Sequence, residues 1–158
     1  MAHSYIYTKN NETDRSVAIP DGALNLFIYF FNEIAKSKVA PNSNESKICE
    51  HYTIELLEVH TSYIDIQLQE ISEDKYLKDW YLLMLAQLTL RIQEFGEYIE
   101  NQYLNQIPEL LIEHTQSVVF TRPVEVSVLN NLINDIYWVL NAGEHNPSGR
   151  YKWFEKNL

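Results

Sequence analysis

The chain is poor in residues that terminate helices and in residues that cross-link chains. Its 158 residues include four glycines, five prolines and one cysteine. The single Cys49 excludes an internal disulfide and a thiolate metal site of the Cys-x-x-Cys kind. A chain of this length can bury a continuous core without such cross-links. We therefore expect one self-supporting domain over residues 1–158, in a reducing, cytoplasmic setting.

Long apolar runs are also missing. The most apolar stretch, WYLLMLAQLTL at 80–90, is too short to cross a bilayer. The first 15 residues do not contain a basic region followed by an apolar run. The sequence therefore predicts neither an export signal nor a membrane span.

Positive charge is scarce. Twelve Lys and Arg accompany 22 Asp and Glu, for a net charge of −10, which disfavours a phosphate backbone and favours a basic partner. Most of the excess lies at 44–74, where eight acidic residues accompany one base, Lys47. Although the C-terminal GRYKWFEKNL mixes basic and aromatic residues, the overall charge argues against nucleic-acid binding.

Apolar residues recur mostly at helical spacing, and prolines fall between these segments. The pattern predicts an all-α, single-domain bundle of about five helices with a long central helix. The helices are expected between Gly22 and Pro41, over about 44–71, from a Ser72 cap to about Leu104, from Pro108, and from Pro123 to Gly143. Asn32 is expected on the polar side of the first helix.

Both ends of the chain are less regular. SYIYT near the start has strand propensity but could pair only with SVAI or with SVVFT at 117–121, so we expect a minor β-rich segment. Whether residues 1–20 are ordered stays open. Residues 143–158 are expected to dock as a tail on the bundle.

The stretch CEHYTIELLEVH at 49–60 combines possible metal ligands with ordinary helix-face residues. On one long helix His51, Glu55 and Glu58 would share a face, and Cys49 and His60 would point away from it. A metal site would then need ligands from a second helix, and the chain contains no Glu-x-x-His spacing. We expect no metal and no other cofactor.

Two partner-binding surfaces are predicted instead. Acidic residues of the second helix would form an exposed ridge, consisting of Glu55, Glu58, Asp65 and Glu70. The polar side of the fifth helix would add a second patch that ends in an aromatic anchor, consisting of Asn130, Asn134, Tyr137 and Trp138.

Catalytic signatures are absent from the sequence: it has no Gly-x-Ser-x-Gly elbow, no phosphate-binding Gly-rich loop and no His-Glu-x-x-His. We therefore hypothesise a non-catalytic binding module, an acidic immunity protein that neutralises a basic, nuclease-type toxin by stoichiometric occlusion. Two alternatives stay open. One is a structural or adaptor subunit of a larger complex. The other is a metal-dependent helical enzyme that uses His51 and Glu55 with His114 or His145.

Overall fold

The computed structural model describes residues 3–9, 14–57, 63–111 and 120–141. Within these ranges the chain is mostly helical, as predicted. The elements in chain order are β1 (His3–Lys9), β2 (Asp14–Pro20), α1 (Asp21–Ala35), α2 (Asn44–Leu57), α3 (Leu68–Glu73), α4 (Lys75–Gln93), β3 (Tyr98–Ile99), α5 (Asn101–Leu104), α6 (Pro108–Leu111), β4 (Val124–Glu125) and α7 (Val126–Asn141). The strands form two small antiparallel sheets. The expected minor β-rich segment at the N-terminus is present as β1 with β2, but the fold is not purely all-α, because β3 and β4 form a second sheet.

The N-terminal strands form a regular antiparallel ladder that runs from His3 opposite Pro20 to Lys9 opposite Asp14. Of the two partners that the sequence allowed for SYIYT, the structure selects SVAI. Burial alternates along β1: Ser4, Ile6 and Thr8 are buried, and Tyr5 is exposed. This alternation is what a strand with one face on the core requires.

The central element is α1, which contacts α2, α4, α6, α7 and β2. Its apolar residues are buried on nearly all sides, including Leu24, Phe27, Ile28, Phe30 and Phe31. The expectation that Asn32 lies on a solvated side is wrong, because only 8% of it is exposed. Its Nδ2 instead donates to Cys49 O and to Thr53 Oγ1, both at 3.2 Å, so this amide joins α1 to α2.

The predicted helix over 44–71 is wrong. Helix α2 ends at Leu57, the chain at 63–67 is not helical, and α3 begins only at Leu68. The physical reason is tertiary: Ile64, Ile66 and Leu68 are buried alternately with their more exposed neighbours. A helix would turn these three side chains to different sides, whereas an extended segment points them all at the core.

Apolar spacing in the sequence predicts a core stripe along the third helix at Leu77, Tyr81, Met84, Leu88, Phe95 and Ile99. The first four residues are buried on α4, whereas Phe95 and Ile99 lie beyond its end. The predicted limits of this helix are wrong. Asp74, rather than Ser72, caps α4 by accepting from the backbone N of Tyr76 and Leu77. The helix ends at Gln93, before Gly96 with φ +78°. As expected of the long helix, α4 is contacted by several neighbours, α1, α2, α3 and α7, but it leaves Leu83 and Leu90 exposed.

The last elements begin near the predicted prolines. Pro108 is the first residue of α6, as expected. The fifth predicted helix starts at Val126 rather than Pro123, because Val124 and Glu125 pair with β3 and Val126 N donates to Glu97 O at 2.9 Å. The predicted end at Gly143 and the docking tail at 143–158 lie outside the described residues. Among the helices described, none combines the length and apolar character needed to cross a membrane.

Candidate partner-binding surface

The predicted acidic ridge does not exist as one helical face. Glu55 is only 9% exposed, so the expectation that it lies on a wet surface is wrong. Glu58 lies outside the described residues. Asp65 is half-buried in the non-helical segment after α2, and Glu70 is exposed on α3. Of the four predicted acids, the structure therefore places Asp65 and Glu70 on the surface.

His51 and Glu55 form part of the support beneath this surface. His51 Nε2 lies 2.7 Å from Asp65 O and 3.4 Å from Glu55 Oε1. A carbonyl oxygen can only accept, so His51 Nε2 carries a proton and donates it. His51 and Glu55 thus hold the Asp65 main chain against α2.

Residues 63–70 lie alongside β1. Ile64 N donates to Ser4 Oγ at 2.8 Å, and Ser4 Oγ donates to Asp21 Oδ1 at 2.7 Å. Further on, Lys9 N donates to Gln69 Oε1. The two hydrogen bonds join Ser4 with Ile64 and Lys9 with Gln69, so they are five residues apart both in β1 and in residues 63–70. The side chains that face outward from β1 and from 63–70 therefore share one surface.

We call this surface the tyrosine–acid surface and define it by Tyr5, Tyr7, Tyr63, Asp65 and Glu70. Tyr63 is 72% exposed, Tyr5 is 52% exposed, and Tyr7 is half-buried. Tyrosine is enriched among the residues that dominate protein interfaces, since it offers a large apolar ring with a polar end. Aromatic faces also attract Arg and Lys. The chemistry is suited to a basic protein.

The two acids act electrostatically on Tyr7. The pKa of the Tyr7 hydroxyl is raised, first by the charge of Asp65, then by burial, and then by the charge of Glu70. The negative potential therefore extends across β1 to the Tyr7 ring. Lys9 Nζ lies 5.8 Å from the centroid of that ring, which is the approach that a cationic side chain of a partner would repeat.

A short network fixes the shape of the surface. Asp65 Oδ1 accepts from Gln67 N at 2.8 Å, which folds the chain into a turn and sets Gln67 at φ +60°. Beneath it, the Tyr52 hydroxyl donates to Ile66 O at 2.7 Å and lies 2.7 Å from the Tyr81 hydroxyl. Both tyrosines are fully buried, and burial is the main cause that raises their pKa values. The main chain behind the surface is thus held by a buried, hydrogen-bonded pair of tyrosine hydroxyls.

The second predicted patch lies on α7. Asn134 is exposed, and Asn130, Tyr137 and Trp138 are half-buried. The Tyr137 hydroxyl donates to Leu82 O at 3.4 Å, burial raises its pKa, and Trp138 packs against the core. Part of the surface of both aromatic side chains is therefore covered by contacts within the chain and is not accessible to a partner. Asn134 is the fully accessible member of this patch.

Sequence reasoning missed the tyrosines of the tyrosine–acid surface. A signal for Tyr63 was present in YIDIQL, where apolar and polar residues alternate with the period of a strand. That alternation places Tyr63 and Asp65 on one side. No local signal shows that this segment lies beside β1, because the hydrogen bond to Ser4 joins residues 60 positions apart.

A metal centre has no support within the ranges that the structure describes, because no group of three or more His, Cys, Asp or Glu residues there could hold an ion. His114 and His145, the predicted additional ligands of the enzyme alternative, lie outside those ranges. Cys49 is buried, and burial is the main cause that raises its pKa to about 11. A thiol in that state is a poor metal ligand and a poor nucleophile.

The chain matches no protein-family model, no curated protein and no solved structure. The function is therefore argued from the chemistry of its surfaces.

Proposed function

We propose that this chain is a non-catalytic binding module that neutralises a basic, nuclease-type toxin by stoichiometric occlusion. The observation that supports the proposal is the tyrosine–acid surface, in which Tyr5 and Tyr63 are exposed beside Asp65 and Glu70. Exposed tyrosines suit a protein interface, because each combines a large apolar ring with a polar hydroxyl. Here they lie beside two acids, Asp65 and Glu70, and one base, Lys9, so the balance of charge favours a basic partner.

The excess of acidic residues would also attract the partner electrostatically. With a net charge of −10, the chain attracts a basic protein over a Debye length of about 10 Å at 0.1 M salt. Nuclease active sites are basic because they bind phosphates. Asp65 and Glu70 would contact the partner's Lys and Arg at the positions that substrate phosphates occupy, and the tyrosines would exclude water around these contacts.

The test is capture of the partner from a native lysate by the tagged full chain, compared with two variants. Glu70→Lys reverses one charge of the surface, and Glu125→Lys reverses an exposed charge on β4. Glu125 is a matched control because it lies far from the tyrosine–acid surface. Helix α7 approaches β1 at Val139, whose carbonyl accepts from Thr8. Glu125 precedes the other end of α7, about 20 Å away along the helix axis. The proposal predicts that wild type and Glu125→Lys retain the same basic protein and that Glu70→Lys does not.

Two further readouts make the experiment decisive. The captured protein should be released as salt rises, because exposed charge pairs are screened. Its nuclease or other toxic activity should disappear when the purified chain is added in equal amount. Retention of the same proteins by Glu70→Lys would contradict the assignment of the surface, and a captured protein without basic character or toxic activity would contradict the proposed function.

A second candidate, the adaptor subunit, rests on a different observation. Helix α4 exposes Tyr76, Leu83 and Leu90, seven residues apart and therefore on one face. An exposed apolar stripe of this kind suits a permanent neighbour. Capture of several subunits that withstand high salt and are lost on Leu83→Glu, with the exposed Gln102→Glu on α5 as control, would favour the adaptor.

A further inference from the structure

The outer face of α4 has the spacing of a helix that packs along another helix. After Lys75, each exposed residue of α4 follows the one before it at an interval of three or four positions: Tyr76, Asp79, Leu83, Ala86, Leu90 and Gln93. We call these six residues the α4 stripe. Alternating intervals of three and four repeat every seven residues, which keeps one face of a helix turned toward a single partner helix over several turns.

The α4 stripe is apolar at every seventh residue. Tyr76, Leu83 and Leu90 are each more than half exposed, and Ala86 lies between the two leucines. An isolated apolar side chain on a surface is ordinary, whereas a row of them on one helix face is typical of an interaction site. The stripe therefore has the chemistry of a helix–helix contact.

Neighbouring elements limit the width of this contact. On one flank of the stripe, the Tyr137 hydroxyl of α7 donates to Leu82 O at 3.4 Å. On the other flank, Lys38 Nζ donates to Gln87 Oε1. The accessible face is thus one helix wide and, for the 19 residues of α4, about 28 Å long. Such an area lies at the low end of specific interfaces, so the contact should be weak and reversible.

Charge distinguishes α4 from the rest of the chain. The chain has a net charge of −10, yet α4 contains three bases and one acid, namely Lys75, Lys78, Arg91 and Asp79. Arg91 is already paired with Glu33, which leaves Lys75 and Lys78 against Asp79. Two copies of this acidic chain therefore repel each other least when they approach through α4.

We propose that the α4 stripe joins two copies of this chain in a weak antiparallel dimer. The apolar residues are symmetric about Leu83, with Tyr76 seven positions before it and Leu90 seven positions after it. A twofold axis at Leu83 brings the two Leu83 side chains together and sets Tyr76 of each copy against Leu90 of the other.

The orientation follows from Asp79. A parallel pair would place Asp79 directly beside its own copy, and like charges opposed across an interface disfavour association. In the antiparallel pair the two Asp79 residues are about 12 Å apart along the helix axis, where salt largely screens them. The stripe shares no residue with the tyrosine–acid surface, so the dimer does not depend on the proposed function.

The first test is sedimentation velocity of the purified full chain from about 1 to about 500 μM. The proposal predicts a shift from monomer to twice the monomer mass, with a Kd on the order of 10 μM. Leu83→Glu opposes two acids at the twofold axis and should weaken the dimer at least about tenfold. Ile54→Glu is the matched control, because Ile54 is a half-exposed apolar residue on α2, and it should leave the Kd unchanged.

The second test measures the orientation by NMR. A spin label is attached to Gln93→Cys in a Cys49→Ala background, and this chain is mixed with unlabelled, ¹⁵N-enriched chain. The antiparallel dimer predicts that signals of the enriched copy are lost around Tyr76, at the opposite end of α4. Loss around Gln93 instead would overturn the proposed orientation.

Two results would overturn the dimer itself. One is an equal effect of Leu83→Glu and Ile54→Glu on the Kd. The other is a chain that stays monomeric at every concentration, which would assign the α4 stripe to a different occupant, either the neighbouring subunit of the adaptor alternative or residues 142–158 of the same chain.

Discussion

Replacing the two buried tyrosines one at a time should destabilise the protein by unequal amounts. The Tyr52 hydroxyl has one proton, which it donates to Ile66 O, so Tyr81 must be the donor in the contact between the two hydroxyls. Tyr81→Phe removes one hydrogen bond and leaves the bond to Ile66 in place. Tyr52→Phe removes both bonds and leaves two buried polar groups, Ile66 O and the Tyr81 hydroxyl, without that partner.

The magnitudes follow from this count. Loss of one internal hydrogen bond costs about 0.5–1.5 kcal/mol, and each buried group left unsatisfied costs about 1–3 kcal/mol. We therefore expect Tyr81→Phe to lower the free energy of unfolding by about 1 kcal/mol and Tyr52→Phe to lower it by about 2–4 kcal/mol. For a chain of 158 residues, each kcal/mol shifts Tm by about 2–4 °C.

Urea unfolding followed by tryptophan fluorescence measures both values, because Trp80 contacts Tyr81 and Phe31 in the core. Wild type and both variants should show the same m-value, so that the midpoints compare directly. Equal losses, or a larger loss for Tyr81→Phe, would refute the assigned direction of the hydroxyl pair.

Two further predictions concern a helix start and the free thiol. Asp74→Ala should cost about 1 kcal/mol, because Asp74 Oδ1 accepts from Tyr76 N and Leu77 N. Ser72→Ala, at the cap expected from sequence, should cost less, because Ser72 Oγ makes one hydrogen bond, to Gln69 O at 2.6 Å, and caps no N–H group; the reverse order in urea unfolding would refute the observed cap. Burial raises the pKa of Cys49 to about 11 from an ordinary value of 9.0 and leaves the residue only 2% exposed, so alkylation at pH 8 should be at least about a hundredfold slower in the native than in the unfolded chain. Since only the unfolded thiol ionises between pH 9 and 11, wild type should lose stability over that window relative to Cys49→Ala; parallel pH profiles would contradict the raised pKa.

The sequence predicted helices best where one apolar stripe is long. Phe27 and Phe31 of α1, and Leu77 and Tyr81 of α4, recur at helical spacing and are buried as expected. It failed at the end of α2, since no glycine or proline marks the residues after Leu57. The break depends on burying alternate side chains and on bonds to distant residues, and these are properties of the whole fold.

Two acids of the candidate site were predicted from the sequence, but the predicted geometry, one helical face, was wrong. Asp65 and Glu70 were selected as neighbours on one helix, yet they share a surface because residues 63–70 lie along β1. Glu55 was selected by the same helical spacing, but it is buried. The alternation in YIDIQL signals the side on which Tyr63 lies. Tyr5 carries no local signal of exposure, because a tyrosine in a half-buried segment can face either side.

The central claim is that the tyrosine–acid surface occludes a basic toxin, and an inhibition titration tests it most directly. Increasing amounts of the purified chain are added to the captured partner while the activity of that partner is measured. The account predicts a linear fall to zero at one equivalent of wild type, whereas the double variant Tyr63→Ser with Glu70→Lys should require a large excess. Full activity of the partner in an excess of wild type would contradict the claim.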